Sequence, residues 1–143
     1  MQTQQITINS PIYDKTLELR TNVISIPFGF PPPKKETETP DSCMFVAIED
    51  DTVVGFAMIT PSDDKKTIRA RQISVTPSRQ RQGIGRQLMQ EAQKKAKELG
   101  YSELCLFAHT GSHPFFLKLG FEVKGDWQSH DNGLKTILMS KEL

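Results

Sequence analysis

The chain has 143 residues, with 18 Lys plus Arg against 17 Asp plus Glu, for a net charge of +1. This length suits one domain over residues 1–143, able to bury roughly two-thirds of the surface its unfolded chain exposes, and no second folded domain is expected within it. The near-neutral balance excludes a surface that holds polyanions by charge alone, so no nucleic-acid partner is expected.

Ile6 and Ile8 suggest a short first strand, and Ser10-Pro11 reads as an N-cap with proline at the first helical position. Tyr13, Leu17 and Ile24 then recur at helical spacing, which predicts an amphipathic helix over 11–24. Pro27 to Pro40 holds five of the nine prolines and is expected to form neither a regular helix nor a central strand. Met44–Ile48, Val53–Ile59 and Thr67–Val75 have strand character, separated by the turn formers Glu49–Thr52 and Pro61–Asp64, so an antiparallel meander is expected. From Ile84 the period is helical, with Ile84, Leu88, Met89, Ala92, Ala96 and Leu99 on one side, until Gly100 closes the helix as a left-handed cap. Leu104–Phe107 is expected as a buried strand, Pro114–Leu119 as a short helix, and Phe121–Val123 and Thr136–Met139 as closing strands.

No apolar run is long enough to cross a bilayer, and Met1 to Gln5 carries neither a basic start nor an apolar run. The expectation is a cytoplasmic protein without a membrane partner. Cys43 and Cys105 belong to no CxxC and no His set, which predicts buried reduced thiols and no metal site.

The chemistry concentrates in Ile73 to Arg86. A strand stops near Pro77, a glycine-containing loop follows, and a long helix starts at once, so several unpaired N–H groups converge where the helix dipole is positive. Such a place binds an anion. Gly83 and Gly85 lack the Cβ that would keep a phosphate from the backbone, and Arg79, Arg81 and Arg86 add charge. The competing reading is that the glycines only make a tight turn. A nucleoside-triphosphate loop would need Lys and Ser or Thr where Arg86-Gln87 stand, and a dinucleotide loop would need a third glycine where Leu88 stands.

Gln80-Arg81-Gln82-Gly83-Ile84-Gly85, behind a strand ending Val75-Thr76-Pro77, resembles the Q/R-x-x-G-x-G/A signature of the GNAT N-acetyltransferases. Phe115-Phe116-Leu117-Lys118-Leu119-Gly120-Phe121 resembles the family's FYxKLGF segment, and His109 and Ser112 fall where it often has Asn and Ala. Element order agrees from Val46 to Leu138, while Leu19-Arg20, Val23 and Pro27-Phe28-Gly29 look like a less characterised subgroup.

The resemblance implies an α+β fold with a mixed, mostly antiparallel sheet, a V-shaped splay between the fourth and fifth strands, and flanking helices. It implies an acyl-coenzyme A-dependent N-acyltransferase, with acetyl-coenzyme A as co-substrate, that acetylates a small-molecule or peptide amine by direct attack. The amides of Arg81 to Arg86, with Gln80, would hold the pyrophosphate, and the backbone of Ile73, Ser74 and Val75 would pair with the pantetheine. A backbone N–H at the strand's bulge would stabilise the oxyanion. The family's general-acid tyrosine corresponds to Phe116, which has no hydroxyl and is left as a cofactor contact. Arg69 to Ile73 also lacks the family's frequent glutamate. His109 is then the candidate base, with positioning of the cofactor as its competing role. Phe28 and Phe30 are the candidate acceptor contacts, against the alternative of a solvated linker. His113 is expected at an exposed helix start. Family members often pair along edge strands, so a homodimer is open. The alternative function is a catalytically weak acyl-coenzyme A sensor or interaction module, favoured by Phe116 and the missing carboxylate.

Overall fold

The strands of the computed structural model, which describes residues 1–143, are β1 (Gln2–Ile6), β2 (Cys43–Glu49), β3 (Thr52–Pro61), β4 (Thr67–Val75), β5 (Glu103–His109), β6 (Glu122–Val123), β7 (Gln128–Ser129) and β8 (Lys135–Glu142). They make one sheet in the order β1-β2-β3-β4-β5-β8-β6, with β7 also on β8. The helices are α1 (Tyr13–Arg20), continued by a π-helical segment (Thr21–Ser25) into α2 (Ile26–Phe28), then α3 (Ile84–Glu98) and α4 (His113–Lys118).

β2, β3 and β4 form the expected antiparallel meander. Asp50 and Asp51, both at positive φ, link β2 to β3 as a two-residue turn whose twist suits paired strands. β3 lies in the middle and is buried on both faces. Alternation sends Ala57 and Ile59 to one core with Leu88, Met89 and Leu106, and Phe56 and Met58 to a smaller core with Tyr13 and Leu19. Helix α3 buries Ile84, Leu88, Met89, Ala92 and Ala96. Leu99, expected on that stripe, is 49% exposed because it has passed into the cap. There Gly100 at φ +91° lets Tyr101 N–H reach Ala96 O at 3.1 Å and Gly100 N–H reach Lys97 O at 3.0 Å, closing the helix as predicted.

The N-terminal helix differs from expectation. Ser10 does not cap it. Ser10 Oγ accepts from Thr7 N–H at 3.0 Å in a preceding turn, and α1 begins at Tyr13 without a side-chain cap. Its buried face is Tyr13, Thr16, Leu19 and Arg20. The widened π-helical turn slips the register, so Ile24 does not extend the line drawn from Tyr13 through Leu17. The helix also runs into the proline-rich segment, where Pro27 sits in α2 and Gly29, at φ +73°, ends it. Both cysteines are free thiols, half-buried rather than fully buried. Burial is the main cause raising each thiol's pKa.

β4 and β5 form the only parallel pairing, and it lasts three residue pairs, Thr67 with Glu103, Ile68 with Leu104 and Arg69 with Cys105. Beyond them the strands part, β5 keeping its partner β8 as far as His109. The fold is therefore the mixed, mostly antiparallel sheet with a splay between the fourth and fifth strands.

Candidate active site

The loop at the open end of the splay is built from β4 outward. Thr76 N–H still donates to Val54 O at 2.9 Å, Pro77–Arg79 make one 3-10 turn, and Gln80 Nε2 clips the loop to Val75 O at 3.0 Å. Arg81 (φ +65°) and Gly83 (φ +85°) then turn the chain into α3. The first amide of α3 with an internal acceptor is Gln87, which donates to Gly83 O at 3.0 Å, so the N–H groups of Arg81, Gln82, Gly83, Ile84, Gly85 and Arg86 have no protein acceptor. With the positive end of a helix dipole behind them, they are arranged to receive an anion.

The glycines divide the work. A Cβ at Gly83 would meet nothing within 4 Å, so its side faces open space. At Gly85 a Cβ would lie 3.3 Å from Phe115 Cζ and 3.7 Å from Val75 Cγ2, so that glycine serves close packing of α3 against β4 and α4 as well. Gly55 on β3 has the tightest surroundings. Its Cβ would fall 2.8 Å from Ile84 Cγ2 and 2.9 Å from Leu88 Cδ1, which means the start of α3 rests on bare backbone. Of the three arginines expected to charge the loop, Arg79 is paired with Glu49, while Arg81 and Arg86 are exposed and free of ion pairs.

Along the splay, β4 carries a bulge. The register passes from Phe56 opposite Ser74 to Met58 opposite Arg71, and Gln72 sits at φ +56°. Ser74 is buried, its Oγ donating to Gln72 O at 3.1 Å, and Ile73 and Val75 pack against the larger core. A buried polar cluster backs the bulge. Arg20 Nε donates to Gln72 Oε1 at 3.1 Å, its Nη1 and Nη2 donate to the two oxygens of Glu38 at 2.8 and 2.9 Å, and its guanidinium lies 4.5 Å from the centre of the Phe56 ring. Tyr13 Oη donates to Glu38 Oε2 at 2.9 Å. Burial would raise the Glu38 carboxyl, but the hydrogen bonds and charge of Arg20 hold it below the usual glutamate value. Burial first, then the bond to Glu38, pushes Tyr13 up to about 12. This carboxylate is committed to its partners and is not a free base.

At the end of β5, the rings of His109 and Phe28 meet with centroids 4.7 Å apart. His109 Nδ1 accepts from Gly111 N–H at 3.0 Å, which places the proton of the neutral ring on Nε2. Burial lowers its pKa, favouring that neutral form. Ser112 Oγ accepts from His109 N–H at 3.1 Å and fixes the same turn. Asn132 Nδ2, from the segment between β7 and β8, donates to Phe28 O at 2.7 Å, so the end of the N-terminal helix closes over the end of β5. Ile26, Phe28, Asn132 and Leu134 line a shallow depression there, and Ile26 is 70% exposed.

Ile73, Ser74 and Val75 thus lie on β4 past its last rung with β5, Gln80 to Arg86 follow directly from the end of that strand, and His109 closes β5 with Phe28 against its ring. Phe30 lies past Gly29 and is 44% exposed, and it is Phe28 whose ring meets His109. Phe116 is 4% exposed, edge-on to Phe115 and Phe121, and belongs to the core. His113 opens α4 as expected, but half-buried and edge-on to Trp127 at 5.4 Å. No group of three His, Cys, Asp or Glu side chains is arranged to hold a metal. Arg20, Glu38, Gln72 and Gly55 were not among the residues expected at the site. An arginine in line with Tyr13 and Thr16 on a buried face was a readable signal. Glu38, inside a charged, proline-rich stretch, gave none.

The profile of the acetyltransferase (GNAT) family matches residues 13–121 of the chain. Among solved structures, Escherichia coli ElaA superposes with a TM-score of 0.83 at 20% identity, covering 99% of both chains. An aminoglycoside 6'-N-acetyltransferase complexed with coenzyme A gives 0.84 at 18% identity, covering 99% of this chain and 97% of the other. A GNAT family acetyltransferase from Elizabethkingia anophelis with acetyl-CoA bound gives 0.74 at 21%, covering 99% and 97%. At these identities the superpositions establish the shared fold. No helix of the chain is long and apolar enough to cross a membrane.

Proposed function

The chain belongs to the acetyltransferase (GNAT) family, and from that premise we propose that it transfers an acetyl group from acetyl-coenzyme A to a primary amine. The observation that carries the reading is the run of amides from Arg81 to Arg86, without protein acceptors, at the mouth of the β4–β5 splay. The residues present fit the co-substrate. Those amides and the open side of Gly83 would take the diphosphate, and the free edge of β4 at Ile73, Ser74 and Val75 would take the amides of the pantetheine arm as an added strand. Bound there, the co-substrate supplies a thioester whose acyl carbon accepts the amine nitrogen as the C–S bond breaks.

The protein's contributions are positional. A backbone N–H at the bulge, which Arg20 braces through Gln72, would stabilise the developing oxyanion without a particular side chain. His109, whose Nδ1 is taken up by Gly111, presents Nε2–H towards its surroundings as a donor. A base role would require giving up the Gly111 bond, so the geometry supports the positioning role over the base. Water takes the amine proton and returns one to the thiolate, since Phe116 has no hydroxyl and Glu38 is paired. Those same two facts favour, as a second reading, a protein that binds acyl-coenzyme A and turns it over weakly.

Titration calorimetry with coenzyme A, alongside thiol release from acetyl-coenzyme A with an amine panel, tests both. Wild-type protein should bind, and Gly83→Trp should abolish binding while circular dichroism stays native. Unchanged affinity in that variant rejects the diphosphate assignment. Binding without amine-dependent thiol release selects the sensor.

A further inference from the structure

The cleft has a second lining that the diphosphate loop does not explain. On the sheet face covered by α1, alternate residues of β4 and β5 form the floor beside the splay. Arg69 and Arg71 are on that face, and Phe107 and His109 continue it on β5, since Leu104, Leu106 and Ala108 point into the opposite core. The Arg69 guanidinium lies 4.8 Å over the Phe107 ring. Arg71 Nη1 donates to Thr39 Oγ1 at 3.2 Å and makes no other side-chain bond. The two cations are close enough to feel each other. Burial first, and then the charge of Arg71, hold Arg69 below the usual guanidinium value.

Neither has an anion. The ion pairs of the molecule are Arg20–Glu38, Arg79–Glu49 and Lys124–Glu122. Glu38, the carboxylate that feels Arg71, is already held by both arms of Arg20 and by Tyr13. Asp64, beyond the closed end of the splay, accepts from Lys66 and Thr67. The face therefore presents two unneutralised guanidiniums, one of them immediately before the bulge at Gln72.

Resting on the transferase reading above, we propose that Arg69 and Arg71 form the acceptor subsite and bind a carboxylate, so that the preferred acceptor is a small primary amine that itself carries a carboxylate. Guanidiniums match carboxylates in geometry and hold them through charge-assisted bonds. A carboxylate anchored on Arg71 leaves the amine only a short reach to the edge of β4 beside it. Polyamines and aminoglycosides are discriminated against, because they bring like charge to these two groups.

The test uses matched acceptors: γ-aminobutyrate and ε-aminocaproate against their own amides, with spermidine as the cationic comparator, followed by thiol release from acetyl-coenzyme A. The wild-type protein should prefer each acid over its amide in kcat/KM by roughly 10- to 100-fold, as one or two charge-assisted hydrogen bonds would give. In the Arg69→Gln/Arg71→Gln double variant that ratio should fall to near unity through KM, and Arg71→Lys should retain part of it. Coenzyme A affinity, read by calorimetry, reports whether the cleft is intact in each variant. Equal use of acid and amide, preference for spermidine, or an undiminished ratio in the double variant overturns the proposal. Failure of the wild-type protein to bind acetyl-coenzyme A overturns the transferase reading, and this one with it.

Discussion

Arg20 and Glu38 meet through two hydrogen bonds of 2.8 and 2.9 Å while their side chains are only 2% and 8% exposed. The pair ties the proline-rich segment to the N-terminal helix and, through Gln72, to the bulge of β4. Removing one partner leaves the other buried and unpaired, which costs about 3–5 kcal/mol. Glu38→Gln and Arg20→Met should each lower stability by that order in urea denaturation at neutral pH. The double replacement Arg20→Met/Glu38→Leu should be less harmful than the two single costs combined. Single costs well under about 1 kcal/mol, the range of exposed ion pairs, would show that the pair is loose in solution.

The same cluster sets the pH range of stability. Glu38 has a folded pKa below the ordinary 4.5, so its contribution is present above that value and is lost as pH falls through the folded one. Tyr13 has the opposite sign: raised from 10.0 to about 12, it contributes below pH 10.0 and the contribution is lost as pH rises towards about 12. Urea midpoints against pH should show both limbs, with Glu38→Gln flattening the acid one and Tyr13→Phe the alkaline one. Limbs that survive those changes would place their origin elsewhere.

His109 has a pKa lowered from 6.5 by burial, so the unfolded chain takes up its proton first and stability declines as pH drops below 6.5. His109→Gln should remove that part of the slope. If His109 positions rather than abstracts a proton, the same variant should keep kcat within about tenfold of wild type, less than the roughly hundredfold or greater loss expected on removing a general base. A larger fall in kcat with unchanged coenzyme A affinity would restore the base.

Gly55→Ala places a methyl 2.8 Å from Ile84 Cγ2 and 2.9 Å from Leu88 Cδ1. Overpacking of this kind costs about 1–3 kcal/mol. Since the displaced element is the start of α3, coenzyme A affinity should weaken together with the urea midpoint. Gly83→Ala has no such neighbour and should weaken binding with a smaller stability loss, set by its φ of +85°. Affinity unchanged in Gly55→Ala would separate the strand contact from the loop's geometry.

The elements that were legible in the sequence are those whose side chains repeat with the period of their structure. The meander and α3 follow from alternation and from the Ile84–Leu88–Ala92–Ala96 stripe, because burial on a fixed face enforces the period. The turn into α3 was legible because the positive φ at Gly83 favours glycine. The splay came from family resemblance alone, since where two strands stop pairing leaves no mark in their composition. Glu38 stayed hidden for a different reason. A charged residue among Lys34, Lys35, Glu36 and Pro40 looks solvated, and only its distant partner makes it buried. The π-helical turn, likewise, slid Ile24 off a stripe that looked continuous.

Only three backbone rungs join β4 to β5, and they lie at one end of both strands. The sheet is thus two panels sharing a short seam, held together mainly by the apolar layer under α3. Panels joined in this way open independently, so amide exchange in β5 and β8 should outpace that in β2 and β3 when the groove between them is bare. A molecule laid lengthwise in the groove acts as a staple, and its arrival should slow exchange across the whole far panel, well beyond the atoms it touches.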